Sequence, residues 1–336
     1  MMTTLLFLTA RSERHQQAAR RSIPGQVDDI RFLYEASREE VLAAIPEADF
    51  LISERACVID REMIHTGQRL RLIQRLGRLT YDIDLDAARE VGVPVCNYPL
   101  PGAMAVAEHL IWQILALLRR AHDGESAIRN PSGIQTSRAT DENTFAPNWS
   151  QRRGLRVLNG LTVGILGFGE IGMEVARRLE PFGCRLFYHK RSPLPGDVEA
   201  GLGIGYRVFD DLVAESDMLC NLLPFSRQTA GVLSAQALAR MPQNSYLVSC
   251  GSGGVIDETA LARAVESGHL AGAALDTFGW EPILPDNPLL PLAHNPAQNV
   301  VLTPHTAFLG VTAQRVEEFA NIRRLLAGES LGNQVV

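Results

Sequence analysis

The stretch from Thr162 to Tyr188 constrains the fold of this chain more than any other. It begins with five apolar or small residues, Thr162–Leu166, which predict a buried strand of a parallel sheet. Three glycines with the spacing G-x-G-x-x-G follow directly: Gly167, Gly169 and Gly172. Apolar residues then recur at helical spacing, and Cys184–Tyr188 predicts a second strand. The order strand, glycine turn, helix and strand within about thirty residues predicts a βαβ unit that binds a dinucleotide.

Each glycine has its own physical task in such a turn. Gly167 permits the tight turn, Gly169 lets backbone amides approach a pyrophosphate, and Gly172 lets the helix pack closely on the strand. The helix N-terminus, with Glu170 and Ile171, then faces the phosphates with its partial positive charge. We therefore predict that all five residues bind the cofactor.

The composition excludes several classes of protein. The net charge of −6 over 336 residues provides no basic footprint for nucleic acid or an anionic membrane. No apolar run reaches membrane-spanning length, and Leu5–Leu8 is more typical of a first strand than of a signal peptide. Five scattered cysteines without a C-x-x-C motif indicate reduced thiols, and no metal site. We expect a cytoplasmic protein without metal, nucleic-acid or membrane partners.

Strands and helices alternate on both sides of this unit. Alternation of this kind predicts parallel sheets with crossover helices, and the length favours two domains. A long apolar helix over Pro101–Arg120 leads to a polar connection over 122–159, which is either disordered or an arm that reaches a second subunit. Ser37 is a predicted N-cap, and the last helix is predicted from Thr312 to Leu326 with Gly328 beyond it.

Three polar residues follow predicted strands or adjoin their ends, where an open parallel sheet has its ligand crevice: Asp276, Glu281 and His305. Hydride transfer between a nicotinamide and a carbinol needs a group that moves a proton near neutral pH, and histidine suits that task. A neighbouring carboxylate would orient the imidazole and favour its protonated form. Taken singly, the three are more often a turn residue, a solvated surface group and a loop residue.

Together these motifs resemble the D-isomer-specific 2-hydroxyacid dehydrogenase family from about Leu70 to Gly332. The resemblance is carried by the glycine fingerprint and by eight further segments: Asp82–Asp84, Ala87-Ala88, Ala105–Glu108, Leu223-Pro224 with Thr229, Ala274–Asp276, Glu281-Pro282, Leu302–His305 and Asn321-Ile322. It implies an α/β protein of two Rossmann-like doubly wound parallel-sheet domains. A discontinuous outer domain (1–100 plus 307–336) would bind substrate, and 101–306 would bind the dinucleotide.

The same resemblance implies roles for individual residues. His305 becomes the proton donor or acceptor, Glu281 its partner, and Asp276 a residue near the nicotinamide carboxamide. Leu223, Pro224 and Thr229 join the predicted cofactor-binding residues. Family members are usually homodimers, which favours the arm interpretation of residues 122–159.

Two departures from the family pattern concern the substrate. The family has an arginine in a stretch resembling Asn-Thr-Ala-Arg-Gly, where this chain has Ser249-Cys250-Gly251-Ser252-Gly253. Ser252 therefore replaces a group that would clamp the carboxylate of a substrate. The family's carboxylate-binding loop is replaced by Gly77–Asp84, with Arg78 and Leu79 at the expected substrate positions. Either Arg78 supplies the positive charge that Ser252 lacks, or it points to solvent.

The end of the second strand bears on cofactor choice. An NAD site places an acid there to bind the ribose hydroxyls, whereas this chain has Lys190, Arg191 and Ser192. Such residues suit a 2′-phosphate, so NADP is favoured over NAD, although a solvated basic turn gives the same pattern.

The predicted function is an NAD(P)-dependent oxidoreductase that interconverts a 2-keto acid, or a related carbonyl compound, with its hydroxy form. The substrate is then an anionic small molecule. Ser252 leaves two alternatives: a nucleotide-binding protein of this fold with lost or altered catalysis, or an enzyme whose unusual substrate needs no arginine clamp.

Overall fold

The computed structural model describes residues 2–131, 137–308 and 315–336. Its strands are β1 (Thr4–Thr9), β2 (Asp29–Tyr34), β3 (Phe50–Ser53), β4 (Leu72–Leu76), β5 (Val95–Tyr98), β6 (Thr162–Leu166), β7 (Arg185–His189), β8 (Ile204–Tyr206), β9 (Met218–Asn221), β10 (Ser245–Ser249), β11 (Leu270–Leu275) and β12 (Val300–Leu302).

The helices alternate with these strands. They are α1 (Glu13–Arg20), α2 (Arg38–Ala44), α3 (Arg61–Thr66), α4 (Leu85–Val91), α5 (Pro101–Leu118), α6 (Ala121–Arg129), α7 (Glu170–Leu179), α8 (Gly196–Leu202), α9 (Phe209–Glu215), α10 (Ala235–Arg240), α11 (Glu258–Glu266), α12 (Leu290–His294) and α13 (Ala320–Ala327).

The chain divides into two compact units. The first contains Met1–Gly102 and Gly310–Val336, and the second contains Ala103–Leu309. The first is therefore built from both ends of the chain: Phe319, just before α13, and Ile322, within α13, join its apolar core. Its five strands lie in the order β2-β1-β3-β4-β5, and every pair is parallel.

The second unit holds a seven-stranded sheet in the order β12-β11-β10-β9-β6-β7-β8, again parallel throughout. The chain starts at β6, moves outward through β7 and β8, and then returns to build the other half from β9 to β12. The predicted α/β class with doubly wound parallel sheets is thus confirmed. The reversal between β6 and β9 is where such a sheet opens its crevice.

Some local predictions are confirmed and others are wrong. Ser37 caps α2, since its hydroxyl accepts from the Glu40 amide while the Glu40 carboxylate accepts from the Ser37 amide. The last helix begins at Ala320, not Thr312, because Val316–Phe319 forms a tighter 3₁₀ turn; residues 312–314 lie outside the described part. The connection after α5 is helical at its start, over Ala121–Arg129, and part of the predicted arm lies outside the described residues.

Candidate active site

The turn between β6 and α7 requires glycine at Gly167. Its φ of +94° lies in the left-handed region, and a Cβ there would come within 2.9 Å of the backbone of Leu222 and Leu223. At Gly172 a Cβ would lie 3.1 Å from the carbonyl oxygen of Gly167. The first glycine therefore brings β6 against the end of β9, and the third brings α7 against the turn.

Gly169 differs from its two neighbours because the space beside it is open. Within the part of the chain that the structure describes, no atom lies within 4 Å of the position that a Cβ would occupy, and Gly169 is the N-cap of α7. The amides at the start of this ten-residue helix, including those of Glu170 and Ile171, have no earlier turn of helix to pair with. Open space in front of a helix N-terminus is what a pyrophosphate requires, so these residues fit a dinucleotide.

The turn after β7 lies next to the glycine turn. The Gly167 amide donates to the carbonyl of His189, the last residue of β7, at 3.0 Å. Lys190 is half-buried, whereas Arg191 and Ser192 are exposed. The structure thus brings the predicted adenosine-binding residues to the same edge of the sheet as the glycines.

The segment after β9, with Leu223, Pro224 and Thr229, forms a folded loop at the same edge. The Thr229 hydroxyl donates to the Pro224 carbonyl at 2.7 Å and accepts from the Ser226 amide at 2.8 Å. The Leu223 carbonyl accepts from the Ser252 amide at 2.9 Å. Two loops that are distant in sequence are therefore in direct contact.

The segment Cys250–Gly253, hereafter the Ser252 loop, contains no charged side chain. Ser252 is half-buried and precedes a 3₁₀ turn, and within the described residues its hydroxyl makes no hydrogen bond. At Gly253 a Cβ would overlap the backbone of Phe278, and at Gly254 it would lie 2.8 Å from the ring of Phe225. Ser252 is thus held on a tightly packed backbone with its hydroxyl available.

His305 and Glu281 form an ion-pair contact. The imidazole Nδ1 lies 2.7 Å from Glu281 Oε2, and the side chains are 54% and 36% exposed. The second carboxylate oxygen, Oε1, accepts from the Phe278 amide at 3.1 Å, which fixes the orientation of Glu281. Because Nδ1 faces the carboxylate, Nε2 is the nitrogen left for proton exchange.

Asp276, at the end of β11, is 1% exposed and holds the segment Thr303–Ala307, hereafter the His305 loop. Its Oδ1 accepts from the Thr303 hydroxyl at 2.6 Å and from the Thr306 amide at 2.9 Å, and its Oδ2 accepts from the Ala307 amide at 2.9 Å. His305 itself has a φ of +54°, a conformation that costs a non-glycine residue about 1 kcal/mol or more. Asp276 offsets that strain with three hydrogen bonds.

Two side chains of α5 join this network, and sequence analysis missed both. His109 Nε2 lies 3.0 Å from the Thr303 hydroxyl and 3.5 Å from Asp276 Oδ1. Gln113 Nε2 donates to the same hydroxyl at 3.2 Å. The available signal was a pair of polar residues spaced i, i+4 on a mostly apolar helix.

Arg78 and Leu79 belong to the first unit, where they follow β4 and are half-buried. Sequence analysis also missed Arg75, inside β4, whose side chain is fully buried. Its Nη2 lies 2.5 Å from Asp82 Oδ1, and its Nη1 donates to the Ser53 hydroxyl at 2.9 Å. Two polar residues inside an apolar strand, Gln74 and Arg75, were the signal.

Residues 111–307 match the family model described as the D-isomer specific 2-hydroxyacid dehydrogenase, NAD binding domain. The chain belongs to the D-isomer specific 2-hydroxyacid dehydrogenase family. Among its curated relatives, D-3-phosphoglycerate dehydrogenase of Mycobacterium leprae is 33% identical over 93% of this chain and 55% of the relative. Glyoxylate reductase of Aeropyrum pernix is 34% identical over 80% of the chain and 76% of the relative. The chain thus spans about half the length of the phosphoglycerate dehydrogenases it matches.

Solved structures agree with this family membership. PH0520 from Pyrococcus horikoshii is 29% identical, with a TM-score of 0.58 over 100% of this chain and 95% of that one. A glyoxylate reductase from Paecilomyes thermophila is 28% identical, with a TM-score of 0.53 over 100% of this chain and 99% of that one.

Two further features concern the residues that the structure describes. No group of three or more His, Cys, Asp or Glu side chains there could hold a metal ion. The helix α5 is long and apolar enough to cross a membrane, with half of the tested segment buried inside the protein. A buried core helix has the same composition, so this feature is weak support for a membrane span.

Proposed function

We propose that this chain is an NAD(P)-dependent oxidoreductase that interconverts a 2-keto acid, or a related carbonyl compound, with its hydroxy form. The observation that carries the proposal is the His305–Glu281 pair, in the same unit as the glycine turn. A protein that only binds nucleotide has no physical need for an acid–base pair. In this proposal, Met1–Gly102 with Gly310–Val336 corresponds to the substrate domain and Ala103–Leu309 to the dinucleotide-binding domain.

A bound nicotinamide supplies or accepts the hydride. In carbonyl reduction, His305 donates a proton from Nε2 to the oxygen that becomes the hydroxyl, and in oxidation it takes that proton back. Glu281 holds the Nδ1 side of the ring and so aims Nε2. Gly167, Gly169 and Gly172, with the amides at the start of α7, hold the pyrophosphate. Leu223, Pro224, Thr229 and Asp276 are the proposed neighbours of the nicotinamide half.

The substrate is proposed to be a small anion. Ser252 offers one neutral hydrogen bond where the family has a guanidinium, and loss of such a donor typically costs about 2–4 kcal/mol of transition-state stabilisation. We propose that Arg78, with Leu79 beside it, compensates for this loss. If so, Arg78→Ala raises KM or lowers kcat for an anionic substrate, and unchanged kinetics would exclude the compensation.

NADP is the proposed cofactor. The support is the turn Lys190-Arg191-Ser192, which carries two cations, a hydroxyl and no acid at the end of β7. KM values for NADPH and NADH test this directly, and a clear preference for NADH contradicts it. A cytoplasmic homodimer, with residues 122–159 as an intersubunit arm, completes the proposal.

A second candidate is a nucleotide-binding protein of this fold with lost or altered catalysis, favoured by the uncharged Ser252 loop. The deciding experiment measures NADPH oxidation against a panel of 2-keto acids and aldehydes, with the wild type, Ser252→Arg and His305→Asn in parallel. Turnover by the wild type that His305→Asn abolishes supports the oxidoreductase. Turnover only in Ser252→Arg favours the second candidate.

A further inference from the structure

Gln113 lies between the two loops that carry Ser252 and His305. Its side chain is fully buried in α5, where an amide without partners would cost several kcal/mol. Its Nε2 donates to the Thr303 hydroxyl at 3.2 Å, and its Oε1 accepts from the Cys250 thiol at 3.4 Å. One rigid side chain therefore has a contact with each loop.

The contact with Thr303 fixes the His305 loop. The Thr303 hydroxyl accepts from Gln113 Nε2 and donates its own proton to Asp276 Oδ1, 2.6 Å away, and His109 Nε2 lies 3.0 Å from the same hydroxyl. Asp276 in turn accepts from the amides of Thr306 and Ala307, on the far side of His305. The Gln113 amide thus holds the hydroxyl that makes the first of three hydrogen bonds to Asp276 around His305.

The contact with Cys250 fixes the Ser252 loop. Cys250 stands where the resembling family sequence has a threonine, and its amide donates to the Asn221 carbonyl at 3.2 Å. Burial raises the pKa of the Cys250 thiol well above its ordinary value, so the group stays protonated and remains a donor. The thiol donates to the Gln113 oxygen. This contact holds the loop at Cys250, two residues before Ser252.

We propose that Gln113 is a positioning residue that fixes the Ser252 loop and the His305 loop to α5, and thereby to each other. Gln113 acts through Cys250 and Thr303 and does not touch the reacting atoms. Its effect on turnover rests on the proposed oxidoreductase function. Its effect on the mobility of the two loops does not.

The test compares Gln113→Met with Ile114→Val. Methionine matches glutamine in length and removes both hydrogen bonds, whereas Ile114→Val trims a fully buried apolar residue of the same helix. Hydrogen–deuterium exchange is measured on peptides that cover residues 249–254 and 303–308. We expect faster exchange of both peptides in Gln113→Met and of neither in Ile114→Val.

Steady-state kinetics provide the second measurement. We expect kcat of Gln113→Met to fall about tenfold while KM for the cofactor stays within about twofold, because the proton donor and Ser252 are misplaced but the glycine turn is intact. In a Thr303→Val background, Gln113→Met should cost less than it does alone, since the shared contact is already lost. Cys250→Ser, which keeps a donor, should behave as the wild type, whereas Cys250→Ala should speed exchange at 249–254.

The outcomes separate the two proposals. Unchanged exchange in Gln113→Met overturns the positioning role, whether or not the protein turns over a substrate. Faster exchange with an unchanged kcat also overturns it, because the loops then move without consequence for the reaction. A wild type without turnover, combined with faster exchange of both loops in Gln113→Met, contradicts the oxidoreductase proposal but supports the structural link.

Discussion

The two units use charged residues differently near the carboxyl ends of their strands. In the first unit, the side chains of Arg75 and Arg315 are at most 10% exposed and lie against carboxylates: Arg75 against Asp82, and Arg315 against Glu54 and Glu318. In the second, His305 and Glu281 form a pair whose side chains are 54% and 36% exposed. Both arrangements place a nitrogen against a carboxylate, and the second leaves a ring nitrogen within reach of a ligand.

This difference separates structural ion pairs from chemical ones. A buried pair is retained because removing one partner leaves an uncompensated charge, and it adds little stability over apolar residues of the same volume. A half-exposed pair contributes little stability, so its geometry is better explained by chemistry. Substitutions in either unit test this distinction between structural and chemical ion pairs.

The largest effect is expected from His305→Asn. Asparagine tolerates the left-handed conformation, so the loop keeps its shape while the proton donor is lost. We expect kcat to fall about 10²–10⁴-fold, the usual contribution of a general acid, with cofactor affinity unchanged. Stopped-flow kinetics and a fluorescence titration with NADPH measure the two quantities. Activity within a few-fold of the wild type would show that another group moves the proton.

In the first unit, Arg75→Met should destabilise the fold. Asp82 would be left buried without its cation, at a cost of about 3–5 kcal/mol in the free energy of unfolding. Urea denaturation measures this cost. The double variant Arg75→Met, Asp82→Leu should recover most of it, because no unpaired charge remains. If the double variant is as unstable as the single one, Arg75 stabilises the unit by something other than pairing.

Gly169→Ala should weaken cofactor binding without lowering the stability of the fold. The added methyl group meets no protein atom, and the φ of −112° suits alanine, so the methyl group occupies only space meant for the pyrophosphate. We expect the Kd for NADPH to rise about tenfold, or ~1.4 kcal/mol, in an isothermal titration. Gly124→Ala, at another site with no atom within 4 Å, is the matched control and should bind normally. Equal affinities would place the dinucleotide elsewhere.

The smallest effect concerns Glu318 and pH. Burial raises the pKa of this carboxyl despite its contact with Arg315. An acid whose pKa is raised in the folded state adds stability when protonated, and that contribution is lost as the pH rises through the raised pKa. The free energy of unfolding of Glu318→Gln, measured in urea relative to the wild type, should therefore be higher at pH 8 than at pH 4.5. The opposite trend would mean that the pairing with Arg315 outweighs burial.

The sequence predicted those parts of the molecule that depend on local pattern. The strand, glycine turn, helix and strand from β6 to β7 follow from spacing and backbone sterics. The observed β6 has the predicted bounds, and β7 lies one residue later than predicted. The capping box at Ser37 is equally local. The His305–Glu281 contact was predicted only through strand ends and family resemblance, and the structure places the two side chains 2.7 Å apart.

What could not be predicted depends on long-range partners. Gln113 and Thr303 are 190 positions apart, and nothing in either neighbourhood reveals the other. The burial of Arg75 inside an apolar strand depends on Asp82 and Ser53, which lie on other segments of the chain. The short edge strand β8 was missed because three residues carry too little pattern.

The contact of Gly167 with Leu222 and Leu223 has a consequence for dissection of this protein. The glycine turn after β6 packs against the end of β9. This strand comes some fifty positions later in the sequence, after the order of strands in the sheet has reversed. A fragment that stops after β8 would retain the whole fingerprint yet lack one wall of its crevice. Recombination or truncation that separates the two halves of the sheet should therefore abolish nucleotide binding, even when every glycine is preserved.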